Sequence, residues 1–142
     1  MNTTNTMTSS KPYLIRAIYE WILDNNYTPY ITVDTTYPNT DVPQKYIQDN
    51  AITLDISPLA ANKLLIANDA ITFSARFGGI PHNIYIPIAA VLAIYSQKNA
   101  QGMAFPKEEY QPEINISSQS NTATQTKTNK AQFKIVTGGK KE

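Results

Sequence analysis

The sequence contains no cysteine and a single histidine, His82, among its 142 residues. The missing cysteines exclude a disulfide framework, a thiolate metal site and a cysteine nucleophile, and they suit a reducing cytosol. One histidine allows no spacing of histidines and carboxylates that resembles a metal site. His82 follows the pair Gly78-Gly79, which is typical of a hairpin turn, so we expect it to be solvated rather than catalytic. No enzymatic activity and no cofactor are expected.

The chain also has no large excess of either charge and no long apolar run. The chain has 12 basic and 11 acidic residues and a net charge of +1, which indicates no general attraction to nucleic acid or anionic membranes. Its longest apolar run, from Ile84 to Tyr95, contains Pro87 and falls short of the roughly 20 residues of a membrane span. Residues 1–10 lack the apolar region of a secretory signal. We therefore expect a cytoplasmic protein with no membrane partner.

Periodicity predicts a mainly β domain that opens with one helix. Ser10 and Pro12 mark the start of this helix, and Asn25 or Asn26 marks its end. Alternating apolar residues between turn signals predict short antiparallel strands at 30–34, 51–56, 70–77, 83–86 and 103–105. The expected fold is a small curved antiparallel sheet or partly open β-barrel.

Two segments of the domain are harder to assign. Residues 60–66 have no clear period and are compatible with a helical turn. Pro87 can stand at the first turn of a helix, so the apolar residues after it predict a short helix from Ile88 to about Gln97.

The first helix is apolar on more than one face. One face carries six apolar residues, which are Tyr13, Leu14, Ala17, Ile18, Trp21 and Ile22, and a different face carries Ile15, Tyr19 and Leu23. One sheet cannot cover both faces, and a helix that is apolar nearly all round is buried nearly all round. The second covering surface is expected to be another copy of the chain, across a two-fold axis. The alternative is a helix sunk deep in its own domain.

The strand at 70–77 is the best candidate for a binding site. Phe73, Ala75 and Phe77 share one face, and the small Ala75 between two large rings can form the floor of a pocket. A groove with an open edge can take an extended peptide. One alternative is that Phe73 and Phe77 are plain core. Another is an RNA-binding barrel in which Phe73, Phe77 and Tyr85 stack on bases, although the near-neutral charge argues against it.

The C-terminal part of the chain changes composition. Residues 111–129 are rich in Ser, Thr, Asn and Gln, with little to bury, and such segments stay disordered. The apolar residues Phe133, Ile135 and Val136 then follow with Lys130 and Lys134 among them. We interpret this motif as a contact for another protein; a last strand that folds back on the domain and an expression remnant are the alternatives. The predicted organisation is a disordered N-terminus at 1–10, a domain at 11–106, a linker at 107–129 and a motif at 130–142.

Several motifs together resemble a known family. They occur in one order over about Lys11 to Phe105. The motifs are Pro12-Tyr13-Leu14, Arg16-Ala17, Tyr19-Glu20-Trp21, Leu23-Asp24-Asn25, Ala67-Asn68-Asp69, Ala75-Arg76-Phe77-Gly78-Gly79-Ile80-Pro81 and Ala89-Ala90-Val91-Leu92-Ala93-Ile94-Tyr95. The chain is therefore identified as similar to the stringent starvation protein B (SspB) family of adaptors for the ClpXP protease.

The resemblance implies a non-enzymatic homodimer with an Sm-like, partly open β-barrel. Such an adaptor binds ssrA-tagged polypeptides and delivers them to the ClpX unfoldase and the ClpP protease. The expected partners are ssrA-tagged polypeptides, the ClpX N-terminal domain and a second copy of the chain, with the ribosome as a further expectation. The matching dimer positions on the first helix are Tyr13, Leu14, Ala17 and Ile18.

The resemblance also implies where the tag and ClpX bind. The tag groove is expected beside Phe73, Ser74, Ala75, Arg76 and Phe77, with Val42, Tyr46, Thr53 and Leu54 completing its lining. The ClpX-binding motif is expected at Lys130, Phe133, Lys134, Ile135 and Val136. Two departures from the family pattern are the residues 137–142 that follow the motif and the nearly uncharged linker.

Overall fold

The computed structural model of the chain describes residues 7–110. The predictions for residues 1–6, for most of the linker and for the motif at 130–142 lie outside this part. The described elements in chain order are α1 (Lys11–Asp24), β1 (Pro29–Asp34), a 3₁₀ turn (Gln44–Tyr46), β2 (Ala51–Asp55), β3 (Asn62–Ile66), β4 (Ala70–Phe77), β5 (Ile80–Pro87), a second 3₁₀ turn (Ile88–Ala90), β6 (Val91–Ser96) and β7 (Gly102–Ala104).

The bounds of α1 follow from its terminal residues. Pro12 stands in the first turn, where its missing N–H leaves no helical bond unmade. The Ser10 side chain makes no cap hydrogen bond; instead, the Lys11 N–H donates to the Ser9 hydroxyl at 3.1 Å. At the other end, Asn26 takes a φ of 63°, the left-handed conformation that asparagine tolerates at helix ends. The predicted helix is thus confirmed.

The strands form two antiparallel sheets that do not close on each other. The first has the order β2-β1-β6-β7, and the second has the order β3-β4-β5. β1 is central in the first sheet, with Ile31 opposite both Leu54 of β2 and Ile94 of β6. The predicted mainly β fold, with an N-terminal helix and a β-barrel that is not closed, is confirmed.

The predicted helix from Ile88 to Gln97 is wrong. Only Ile88–Ala90 forms a single 3₁₀ turn, and Val91–Ser96 is strand β6, which pairs with β1 and β7. A short apolar run fits a buried strand and a buried helix equally well, and pairing on both sides decides for the strand here. The ambiguous segment at 60–66 is strand β3 and not a helical turn.

The core is built mainly from isoleucine. Its fully buried members include Ile15 of α1, Ile31 of β1, Ile71 of β4, Ile86 of β5 and Ile94 of β6. Because these residues come from the helix and from both sheets, one core joins all layers. No helix among the described residues has both the length and the apolar character to cross a membrane.

The segment after β7 packs against the rest of the domain. The Lys11 ammonium, with the whole residue only 6 % exposed, lies 2.9 Å from a Glu108 carboxylate oxygen and 5.1 Å from the centre of the Phe105 ring. The Tyr110 ring packs edge-on against Tyr37 at 5.7 Å between centroids. Burial, and then the charge of Glu108 and the neighbouring Tyr110, raise the pKa of Tyr37. Residues 105–110 therefore act as a strap on the domain.

Candidate functional site

A cleft of about 680 Å³ lies where the two sheets fail to close. This volume falls in the range of ligand-binding pockets, roughly 300–1,000 Å³. Its lining comes from β2, from the loop that connects β2 to β3, and from β3, β4 and β5. The residues are Thr53, Leu54, Asp55, Pro58, Leu59, Ala60, Asn62, Ser74, Ala75, Arg76, Phe77 and Pro81.

The cleft runs along strand edges. Residues 74–77 of β4 all line it, although successive side chains of a strand point to opposite faces. β4 pairs with β3 only as far as Ser74, so its last three residues have β5 on one side and no strand on the other within residues 7–110. β2 is likewise the outermost strand of its sheet. The cleft thus lies between two strand edges whose backbone groups are available to a third, extended chain.

An aromatic pair bounds the cleft at the end of β4. Phe77 lines the cleft, and its ring lies 5.5 Å from the ring of Tyr46, which belongs to the 3₁₀ turn before β2. The His82 ring meets Phe77 edge-on at 6.3 Å. Phe77 is therefore held on two sides by rings, which orders its side chain before any ligand arrives.

The turn between β4 and β5 is rigid as well. Gly78 and Gly79 both have positive φ, at 61° and 81°, the combination that a tight two-residue hairpin turn requires. The Arg76 guanidinium donates to the Gly79 carbonyl at 2.8 Å. Arg76 also lines the cleft and is exposed to solvent.

A carboxylate lies at the opposite wall of the cleft. Asp55, the last residue of β2, accepts a hydrogen bond from the Ser57 N–H at 2.9 Å, which fixes the start of the following turn. Burial, and then the charge of Asp55, raise the pKa of Tyr19 on α1. The cleft therefore presents one cationic and one anionic side chain, and its field favours neither sign of ligand overall.

The structure brings six of the nine predicted groove residues together. Thr53, Leu54, Ser74, Ala75, Arg76 and Phe77 line the cleft. Tyr46 is not part of this lining, but its ring packs against Phe77, as described above. Phe73 and Val42 belong to the core and are 5 % and 2 % exposed, so they support the cleft from behind rather than line it. Phe73 consequently has no face free for stacking on a base, as the RNA-binding alternative requires.

Sequence reasoning missed half of the lining. The missed residues are Asp55, Pro58, Leu59, Ala60, Asn62 and Pro81. Most of them lie in the loop after β2 or at the start of β3, the segment whose strand was not recognised. The pair Ser57-Pro58 is typical of a turn, but no sequence signal places that turn beside β4.

The exposed face of α1 contains most of the predicted dimer positions. Tyr13, Leu14 and Ala17 are exposed, and so is Trp21 one turn further on. Ile18 is partly buried and packs against the core of its own chain. The helix thus buries one apolar face in its own domain and leaves a second, defined by Tyr13, Leu14, Ala17 and Trp21, in contact with solvent. We call this second face the outer helix face.

The described part of the chain offers no candidate metal centre. Within residues 7–110, no three histidine or acidic side chains come together as a metal ion would require. His82 pairs with Asp41 at 3.4 Å on the surface. What the geometry offers is an edge-lined cleft in an open β-barrel, a site typical of binding extended polypeptide.

Comparisons with known proteins agree with this class of structure. The profile of the family described as "SspB: Stringent starvation protein B" matches residues 9–140. A curated protein of Haemophilus influenzae, the "Stringent starvation protein B homolog", is 46 % identical over 106 residues, which cover 75 % of this chain and 71 % of that protein. The chain belongs to the stringent starvation protein B family.

Proposed function

We propose that this protein is a ClpXP adaptor that binds ssrA-tagged polypeptides in the cleft and delivers them to ClpX. Family membership supports a role like that of stringent starvation protein B. The adaptor role is not enzymatic: it requires one site for the tagged substrate and a second for the unfoldase. No bond of the substrate is broken by the adaptor itself.

One observation carries the tag-binding part of the proposal. The cleft lies between the free edge of β2 and the unpaired end of β4, so an extended peptide can form backbone hydrogen bonds there while its side chains enter the lining. A tag at a polypeptide terminus is such a peptide. Ala75 contributes a small side chain to the lining beside this edge, which leaves room for a peptide side chain.

The test of this part is a substitution that fills the cleft. Ala75→Gln places a long polar side chain at the strand edge, and we expect the affinity for a fluorescein-labelled Ala-Ala-Asn-Asp-type peptide to fall by at least about ten-fold. Ala104→Gln is the matched control, because Ala104 is exposed on β7 and outside the cleft. Fluorescence anisotropy measures both. Equal affinity of Ala75→Gln and the unmodified protein would remove the cleft from the proposed function.

The delivery part rests on the chain beyond the described residues. The motif at Lys130, Phe133, Lys134, Ile135 and Val136 is proposed to bind the ClpX N-terminal domain, with the polar residues 111–129 as the spacer. A short tether raises the effective concentration of the second contact to about the millimolar range. Two weak contacts on one adaptor then speed delivery without any chemical step.

Truncation separates the two parts. Removal of residues 132–142 should leave peptide affinity unchanged and abolish the stimulation of ClpXP on a tagged fluorescent substrate. Replacement of residues 137–142 alone by Ser and Gly controls for the residues after the motif. A truncated protein that still stimulates ClpXP would contradict the tether.

The outer helix face supports a homodimer as part of the same proposal. Its exposed aromatic and aliphatic residues form a continuous apolar stripe that a single chain leaves in water. The Arg16 guanidinium stacks on the Tyr13 ring at 4.6 Å, and the Asn68 side chain donates to the Tyr13 hydroxyl at 3.2 Å. The Tyr13 ring is therefore ordered in advance of association. A dimer carries two clefts and two delivery motifs.

A further inference from the structure

Leu59 is the most exposed large apolar residue in the described part of the chain, with 101 % of its reference surface in water. A single exposed leucine is ordinary on a protein surface and means little by itself. Leu59, however, lines the cleft, on the loop that connects β2 to β3. Its exposure therefore concerns the binding site.

The loop that carries Leu59 is fixed at several points. The Ser57 N–H donates to Asp55, and the Ser57 carbonyl accepts from the Ala60 N–H at 3.0 Å and from the Ala61 N–H at 2.8 Å. Pro58 restricts its own backbone, and Ala61 is buried in the core. Little backbone freedom remains to be lost when a ligand contacts Leu59, which favours tight binding.

The rest of the apolar lining comes from the second sheet. Phe77 of β4 and Pro81 of β5 contribute apolar surface to the same cleft, and Phe77 is held by Tyr46 and His82. The cleft thus has apolar groups on the loop after β2, whose backbone is fixed, and on the β4–β5 hairpin. Because both groups line one cleft, a peptide bound in the cleft can meet apolar surface from both.

We propose that Leu59 determines specificity by selecting an apolar side chain at one position of the bound peptide. The inference rests on the proposed function, since it requires a peptide in the cleft. Leu59 covers that side chain from the solvent side, and the removal of both apolar surfaces from water is the source of the preference. The expected ligand is an extended segment with one apolar residue among polar ones.

The test measures how much more tightly a Leu peptide binds than a Ser peptide, in the unmodified protein and in two variants. The probes are labelled Ala-Ala-Asn-Asp-type peptides in which each position in turn is Ser or Leu. For the unmodified protein, we expect Leu to bind roughly ten-fold more tightly than Ser at one position. In Leu59→Ser, this ratio should fall to about two at that position and stay unchanged at the others. Leu65→Ser is the matched control, because Leu65 is 59 % exposed on β3 and outside the cleft.

Each outcome has one interpretation. An unchanged ratio in Leu59→Ser, or an equal loss with every peptide, overturns the role of Leu59 while peptide binding in the cleft stands. If Leu65→Ser loses the preference for Leu over Ser to the same extent, the role of Leu59 is overturned too. If the unmodified protein binds none of the peptides, the proposed tag-binding function fails and this inference fails with it. Both substitutions are at exposed positions, and circular dichroism confirms that the variants are folded.

Discussion

The ion pair between Lys11 and Glu108 predicts an asymmetric double-mutant cycle. Lys11 is almost fully buried, whereas the side chain of Glu108 is 45 % exposed. Glu108→Gln keeps the shape and an oxygen acceptor but leaves a buried ammonium without its carboxylate. Lys11→Met removes the ammonium together with its desolvation cost and keeps an apolar chain of similar length beside Phe105.

The geometry gives the magnitudes. A charged hydrogen bond contributes about 1.5–3 kcal/mol, and the exposure of Glu108 lowers this through solvent screening. We expect Glu108→Gln to lower the free energy of unfolding by about 1–2 kcal/mol. Lys11→Met should lower the free energy of unfolding by less than about 1 kcal/mol, because the loss of the ion pair is offset by the loss of the desolvation cost of the buried ammonium. In the Lys11→Met background, Glu108→Gln should change it by less than about 0.3 kcal/mol.

Urea unfolding measures all four proteins of the cycle, with a shift of roughly 4–8 °C in Tm per kcal/mol as a second readout. Glu109→Gln is the control, because Glu109 is exposed and has no ion-pair partner within residues 7–110. The reasoning is refuted if Lys11→Met is the more destabilising single change, or if the two effects simply add.

Three further outcomes are expected. Ala17→Glu puts a charge on the outer helix face and should convert the proposed dimer into a monomer in light scattering; a variant that keeps the dimer mass at micromolar concentration would contradict an interface on this face. Phe73→Ala should lower the free energy of unfolding by about 3–5 kcal/mol in urea, as for a core aromatic, and a loss under about 1 kcal/mol would place the ring outside the core. The raised pKa of Tyr37 means that the folded state resists ionisation of this side chain. The contribution of neutral Tyr37 to the free energy of unfolding is therefore complete below pH 10 and is lost as the pH rises through the folded pKa. Tyr37→Phe should accordingly lose less stability than the unmodified protein in urea titrations above pH 10, and an identical pH profile would contradict this assignment.

Local signals in the sequence were sufficient for the elements with a clear period or a specific turn. The alternation of Ile52, Leu54 and Ile56 predicted β2, and the glycine pair predicted the β4–β5 hairpin. The segment after Pro87 could not be assigned in the same way. Leu92, Ala93, Ile94 and Tyr95 are apolar in succession, so the period of two that marks a half-buried strand is absent, and only the pairing with β1 and β7 identifies β6 as a strand.

The part of the candidate site that lies on the single strand β4 could be predicted from the sequence. The family motif around Ala75 located the β4 wall, and small-next-to-large spacing indicated a pocket. The wall formed by Leu59 and Pro58 depends on how the loop after β2 lies against β4, a tertiary contact that no local pattern encodes. The same holds for Lys11, whose carboxylate partner is 97 residues away in the sequence.

The central position of β1 has a consequence for how the chain folds during synthesis. β1 requires β6 on one side, with Tyr30 opposite Tyr95, and α1 packs largely against β6 as well. The first helix therefore lacks its main partner, and the first strand lacks one of its two neighbours, until the ribosome has made nearly the whole domain. The β4–β5 hairpin, whose contacts are local, can form well before that. We therefore expect the domain to complete its folding late, with the strap over Lys11 among the last contacts to form.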